Sequence, residues 1–300
     1  MRSLNLFLLI VCLTSANQVF GQPGSGGVLS GGEQEPLTVV STVWPLHLLV
    51  TAVLGEDGHS SALIDLNDSA HHFTITPDDR IEIARADLLI WIDPEFEVQL
   101  AELFEASAAD KPVIRATRQA EVSTRAYDDG MLDPHLWLDP ANGIAMAAKI
   151  AESLAALAPH RAKQFRNRAS ELASSLAELE LEISALGRRD AEAFFVYHDA
   201  FSYFEAVAGI AHSATLVEDP ESEPSMRALL NLRQQVATLR PGCVMLEPDA
   251  SEDLVASVFQ DQQPRKVVAD VLGHAIAAAE GGYVELIRHI LTSFQECLQG

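Results

Sequence analysis

Short apolar runs alternate with helical periodicities along most of this chain. Residues 37–43 (Leu-Thr-Val-Val-Ser-Thr-Val) are rich in β-branched side chains and give way at Pro45 to apolar positions recurring from Leu46 to Leu54. Residues 61–66 read as a second strand. Pro77 opens a helix with Asp78 and Asp79 in its first turn, where carboxylates complement the helix dipole. Residues 87–93 are almost continuously apolar, as expected of a strand covered on both faces, and 112–116 form a fourth strand. A strand-free stretch follows. Its pattern is helical over 141–158 and again over 159–187, the second piece running about 29 residues or roughly 43 Å.

Alternation then resumes. Residues 193–197, 214–217, 243–247 and 266–271 are strand-like, separated by helical patterns over 201–207, 225–239 and 251–259 and closed by a terminal helix over 280–298. The two halves share a plan, although no sequence repeat is visible. The expected fold class is α/β, with two lobes of mainly parallel sheet joined by a long rigid backbone helix and a ligand cleft between them. The expected boundaries are 37–158 for the first lobe, 159–187 for the linking helix and 188–300 for the second lobe.

Composition narrows the function classes. The 300 residues are 48% hydrophobic, enough for a large core, and the formal net charge of −23 argues against nucleic acid or an anionic membrane surface as partner. Arg2 followed by the apolar run 6–13 reads as a signal peptide, too short to span a bilayer. Either Val19-Phe20-Gly21 or Thr14-Ser15-Ala16 offers small residues for cleavage; the segment is taken as 1–21, followed by a Gly-rich leader over 22–36. The bulky Val11 before Cys12 is a poor match to a lipoprotein site. The expected product is an exported periplasmic monomer with no inserted segment. Removal of the signal leaves Cys243 and Cys297, an even pair in an oxidising compartment, and a disulfide between them is expected. A loop of that size is worth about 4 kcal/mol in the chain-entropy model.

Four loops that follow predicted strands each carry one potential metal ligand. They are Ala70-His71-His72-Phe73, Asp133-Pro134-His135-Leu136-Trp137, Val196-Tyr197-His198-Asp199 and Val268-Ala269-Asp270. Open α/β sheets expose function just beyond the C-terminal ends of their strands. Together, three imidazoles and one carboxylate make a four-coordinate pocket suited to zinc. Taken singly, each has a plainer role as a capping or core hydrogen-bonding group, and His72 competes with His71 for the first position. Asp199 is placed to orient His198 or to cap a helix starting at Ala200. Glu247, ending the run Val244-Met245-Leu246, is expected as a second acidic group facing the cleft, with a helix-capping or hinge contact as its plainer role. His47 and His274 are the remaining histidines closest to these loops.

At these residues the chain resembles the periplasmic solute-binding proteins of zinc and manganese ABC transporters, the zinc-uptake members above all. Ser69-Ala70-His71-His72-Phe73-Thr74-Ile75-Thr76-Pro77 is similar to the first ligand loop and places the ligand at His71. His135-Leu136-Trp137-Leu138 is similar to the second. Val196-Tyr197-His198-Asp199-Ala200-Phe201-Ser202-Tyr203-Phe204-Glu205 is similar to the third and is the most specific of the set. The resemblance implies two lobes on a rigid helix, Asp270 or water as fourth ligand, and a disulfide between the Cys243 and Cys297 elements. Two departures stand out. The segment 116–132 is short and holds no histidine, only Asp128 and Asp129, where zinc members often carry a His-rich loop. Ala70 stands where some members have an acidic residue.

Histidine at 198, where manganese members typically have a carboxylate, favours Zn²⁺ over Mn²⁺. The function implied is capture of Zn²⁺ outside the cytoplasmic membrane and delivery to an ABC permease, with no reaction catalysed. The alternatives are a manganese-uptake or adhesin-like metal binder of the same fold and, further off, a zinc-dependent hydrolase. Imidazole binds metal only when deprotonated, so a histidine site predicts affinity that drops as pH falls through about 6.5.

Overall fold

The computed structural model describes residues 36–64, 73–188, 192–218 and 223–299. The expected signal segment, all but Pro36 of the leader, the end of the second expected strand, and His71 and His72 lie outside the described residues. In chain order the first half holds strand β1 (Leu37–Ser41), helix α1 (Trp44–Leu54), β2 (Gly58–Ala62), α2 (Pro77–Arg85), β3 (Leu88–Trp91), α3 (Val98–Ser107), β4 (Val113–Arg115), β5 (Arg125–Ala126) and β6 (Leu132–Asp133). Helices α4 (Pro140–Leu157) and α5 (Ala162–Ser184) follow. The second half holds β7 (Phe194–Val196), α6 (Ser202–Ala208), β8 (Ala214–Thr215), α7 (Met226–Leu239), β9 (Cys243–Leu246), α8 (Glu252–Phe259), β10 (Arg265–Val268) and α9 (Gly282–Leu298).

The α/β class read from the sequence is the one found. One sheet has the order β2-β1-β3-β4 and the other β10-β9-β7-β8, with every pairing parallel. Counted from the first strand of each, both sheets run second-first-third-fourth. Each therefore has its topological switch point between its first and third strands, where open sheets bind ligands. Alternation along β7 and β9 divides the core cleanly. Phe194, Val196, Cys243 and Met245 face the main core, while Phe195, Val244 and Leu246 face a second cluster closed by Leu232 and Val236 of α7 and by Val255 and Val258 of α8.

Helix α5 packs against α1 and α4 from the first half and against α6 and α9 from the second. It thus runs alongside both sheets' supporting helices. It is shorter than the periodicity suggested. The 23 residues of α5 span about 34 Å, because Pro159 and the turns around it form a separate 3₁₀ segment, Pro159–Arg161, and another 3₁₀ turn, Leu186–Arg188, follows its end. Helix α2 opens at Pro77 as expected, and Thr76 and Asp79 add a reciprocal capping box worth about 1 kcal/mol.

Two sequence expectations need correction. The second strand begins at Gly58, three residues before the expected start, because β2 is a half-exposed edge strand and needs no apolar run. Gly58 suits its start, since a Cβ there would run into the Leu37 carbonyl oxygen. The stretch after β4 is not free of strand either: β5 and β6 pair antiparallel, Arg125 with Asp133 and Ala126 with Leu132. Two-residue strands carry too few side chains to show a period. Cys243 of β9 and Cys297 of α9 form the expected disulfide, their Cα atoms 5.5 Å apart.

Candidate metal centre

His198 and Glu247 are set side by side by strand register. The parallel pairing Val196 with Met245, carried on by the Tyr197 N–H bonding the Met245 carbonyl at 2.8 Å, brings position 198 next to position 247 at the C-terminal edge of the second sheet. The His198 Nδ1 donates to Glu247 Oε1. This is the switch point of that sheet, between β7 and β9. Behind it, α6 is locked by aromatic packing: Phe204 stacks on Phe294 of α9 at 4.6 Å, and Phe194 and Phe201 meet the same ring edge-on at 5.9 and 5.4 Å. Such pairs add roughly 0.5–1.5 kcal/mol each beyond their buried area. The His198 backbone is therefore held on two sides.

His135 arrives from β6 and is oriented by its near neighbour Asp133. Oδ1 of that carboxylate accepts both the His135 N–H at 3.0 Å and the ring Nδ1–H at 2.9 Å. Ser202 donates its hydroxyl to Oδ2, and the Tyr203 hydroxyl donates to the Asp133 carbonyl at 3.0 Å. Both residues belong to α6, the helix that follows His198, so one set of hydrogen bonds fixes the two histidine segments to each other. Burial works to raise the Asp133 pKa, but the hydrogen bonds from His135 and Ser202 and the charge on His135 outweigh it and hold the carboxyl below its usual range. Sequence reading missed Asp133. The Asp-x-His spacing was the signal that could have found it.

With both Nδ1 atoms turned to carboxylates, the two Nε2 atoms face each other at 3.2 Å. Both rings are almost fully buried, at 2% and 3% exposure. Two imidazole lone pairs cannot point at each other across that gap without a proton or a cation between them. An ion about 2.0–2.1 Å from each nitrogen would see them at an angle of about 100–106°, close to tetrahedral. The carboxylates on the far nitrogens fix the ring tautomers as metal-binding histidines require.

Asp270 lies two residues beyond β10 on the same sheet edge, where the Ala269 N–H bonds the Leu246 carbonyl at 2.8 Å. Trp137, two residues after His135, donates its indole N–H to the Val271 carbonyl at 2.9 Å, so the His135 segment also touches the Asp270 loop. The Asp270 carboxylate accepts from the Gly273 N–H, the His274 N–H and the His274 Nδ1–H. Burial opposes its ionisation, yet these bonds and the His274 charge keep its pKa below the ordinary value. Among the described residues, no group of three or more His, Cys, Asp or Glu side chains is arranged to hold a metal ion. The structure thus brings His135 and His198 together and sets Asp270 on a neighbouring loop, while His71 lies outside the described residues.

The expected roles of Asp199 are not those found. Glu247 holds the His198 ring, and α6 starts at Ser202 without a side-chain cap. Asp199 Oδ1 is buried with no hydrogen-bond partner among the described residues, and burial raises its pKa, with Asp133 and Glu205 adding to the rise and His212 opposing it. The chain bends through 197–199 before the helix begins, which carries Asp199 out of capping position.

Known proteins share this arrangement of elements. The chain is 27% identical to the high-affinity zinc uptake system protein ZnuA of Brucella abortus, over 92% of this chain and 95% of that protein. A crystal structure of ZnuA superposes with a TM-score of 0.76 at 18% identity, covering 89% of this chain and 99% of that one. The solute-binding protein FpvC of Pseudomonas aeruginosa in complex with Mn²⁺ gives a TM-score of 0.76 at 20% identity, over 88% and 99% of the two chains. At such identities the structural likeness establishes the fold. The family model for the zinc-uptake complex component A, periplasmic, matches residues 39–297, and the chain belongs to that family.

Proposed function

We propose that this protein captures Zn²⁺ outside the cytoplasmic membrane and hands it to the permease of an ABC transporter. The observation that carries the reading is the facing pair His135 Nε2 and His198 Nε2, each ring anchored through its other nitrogen to a carboxylate. His71 and Asp270 complete the proposed ligand set, giving three nitrogens and one oxygen, a combination suited to four-coordinate zinc. The zinc-uptake relatives support the metal, and a two-lobed plan with halves 37–158 and 188–300 flanking α5 supports a cleft site. It is a binding protein of its family, not an enzyme. Export follows from the signal segment proposed at 1–21. No helix among the described residues is long and apolar enough to cross a membrane.

Capture of Mn²⁺ is the second reading, favoured by the fold neighbour that holds that ion. Competition titration of the metal-stripped protein with Zn²⁺ and Mn²⁺ separates the two. One zinc bound tightly with manganese much weaker is the expected result. Equal or tighter manganese binding overturns the zinc reading.

A further inference from the structure

The Asp270 carboxylate is already engaged, and unevenly so. Oδ1 accepts two hydrogen bonds, from the Gly273 N–H at 2.8 Å and from the His274 Nδ1–H at 2.7 Å. Oδ2 accepts one among the described residues, from the His274 N–H at 2.6 Å. A carboxylate oxygen offers two lone-pair positions. Among the described residues, Oδ1 has both filled and Oδ2 keeps one. The loop that imposes this is rigid on both sides. Trp137 grips the Val271 carbonyl, the Trp44 indole donates to the Ile276 carbonyl at 3.2 Å, and Gly273 takes a left-handed φ of 77° that few other residues adopt.

We infer that His274 is a specificity-determining residue of the metal site: by occupying Oδ1 of Asp270 it lets that carboxylate give a metal ion Oδ2 alone. The inference rests on the metal-capture reading above and adds to it the reason for the ion chosen. Zinc is satisfied by four ligands and by a carboxylate bound through one oxygen. Manganese prefers six ligands, rich in oxygen, and gains from a carboxylate that binds through both. A His274 ring held against Oδ1 denies manganese that second oxygen at little cost to zinc. The same hydrogen bonds fix the rotation of the carboxylate, so Oδ2 is presented in one direction, as partners behind a ligand generally do.

The test compares the metal-stripped wild type with His274→Ala and His274→Asn, titrated in competition with Zn²⁺ and with Mn²⁺. The Asn amide nitrogen can stand where Nδ1 stands and donate to Oδ1. The preference for zinc over manganese should fall about 10-fold in His274→Ala, the lower end of what losing a partner behind a ligand costs. His274→Asn should restore most of it. A preference unchanged in His274→Ala overturns the inference, even if both affinities drop together. Zinc X-ray absorption on the wild type is independent of either variant folding: a four-coordinate ion with a one-oxygen carboxylate is expected, and a carboxylate bound through both oxygens overturns it. If the wild type captures neither metal tightly, the capture reading itself fails, and that is seen before any variant is made.

Discussion

The two sheets have one topology and opposite uses for the acids at their switch points. Beyond β3 of the first sheet, Asp93 is bound by Arg115 at 2.8–2.9 Å and by the Thr117 hydroxyl. Glu97 takes the N–H groups of Ile92 and Asp93 at 2.8 and 2.9 Å, and burial pushes its pKa up to about 8. One acid is neutralised by a cation and the other stays protonated at neutral pH. The fold consumes both. Beyond β7 and β9 of the second sheet, Glu247 is spent on His198, and the Asp270 of the next strand is met by His274. There each acid is held against an imidazole instead of closing the backbone. Topology selects where a ligand can sit, and the residues at that place decide whether it does.

That contrast can be broken by substitution. His198→Ala should cost the most, weakening zinc about 1000-fold, or roughly 4 kcal/mol, while His72→Ala leaves affinity nearly unchanged; equal losses in a zinc titration would undo the ligand assignment. Reduction of Cys243–Cys297 cuts the tie between β9 and α9 and should lower the unfolding free energy by about 4 kcal/mol or somewhat less. Urea unfolding with and without reductant measures it, and coincident curves would deny the staple any role.

Glu247→Gln should weaken zinc about 10- to 100-fold, since the His198 ring loses its charged anchor. Glu97→Gln should leave zinc capture as it was, and if both variants behave alike the two edges are not distinct. The last effect is a pH dependence of stability, not of capture. A buried carboxyl raised from 4.5 to about 8 binds its proton more tightly in the fold, so its contribution is full below about 4.5 and is lost as pH climbs through about 8. Thermal melts between pH 6 and 9 should therefore fall more for wild type than for Glu97→Gln. Parallel slopes would mean that Glu97 is not the group responsible.

Much of this was legible in the sequence because burial leaves a period. The near-continuous apolar run 87–93 marks an interior parallel strand, and β3 is covered on both sides. Phe194-Phe195-Val196-Tyr197 followed by His198 marks a strand end with a donor on it. β2 was placed late and β5 and β6 were not seen, since an edge strand and two-residue strands bury too little to impose a pattern. Asp133 was passed over for a similar reason: its work is done through hydrogen bonds to His135 and Ser202, and hydrogen bonds leave no mark on hydropathy.

What the sequence determined alone was the list of parts: α/β elements, a cysteine pair, and histidines and acids at strand ends. It could do so because each of these depends on a residue's own chemistry and its near neighbours. Which acid serves which histidine was decided only by the tertiary structure. Glu247 reaches His198 across 49 positions and Ser202 reaches Asp133 across 69, distances closed by strand register and by the seating of α6. Asp199, adjacent to His198 in sequence, is turned aside by the backbone bend that Glu247 needs no part of. Contacts of that range are fixed by the shared core beneath them, and no local pattern encodes them.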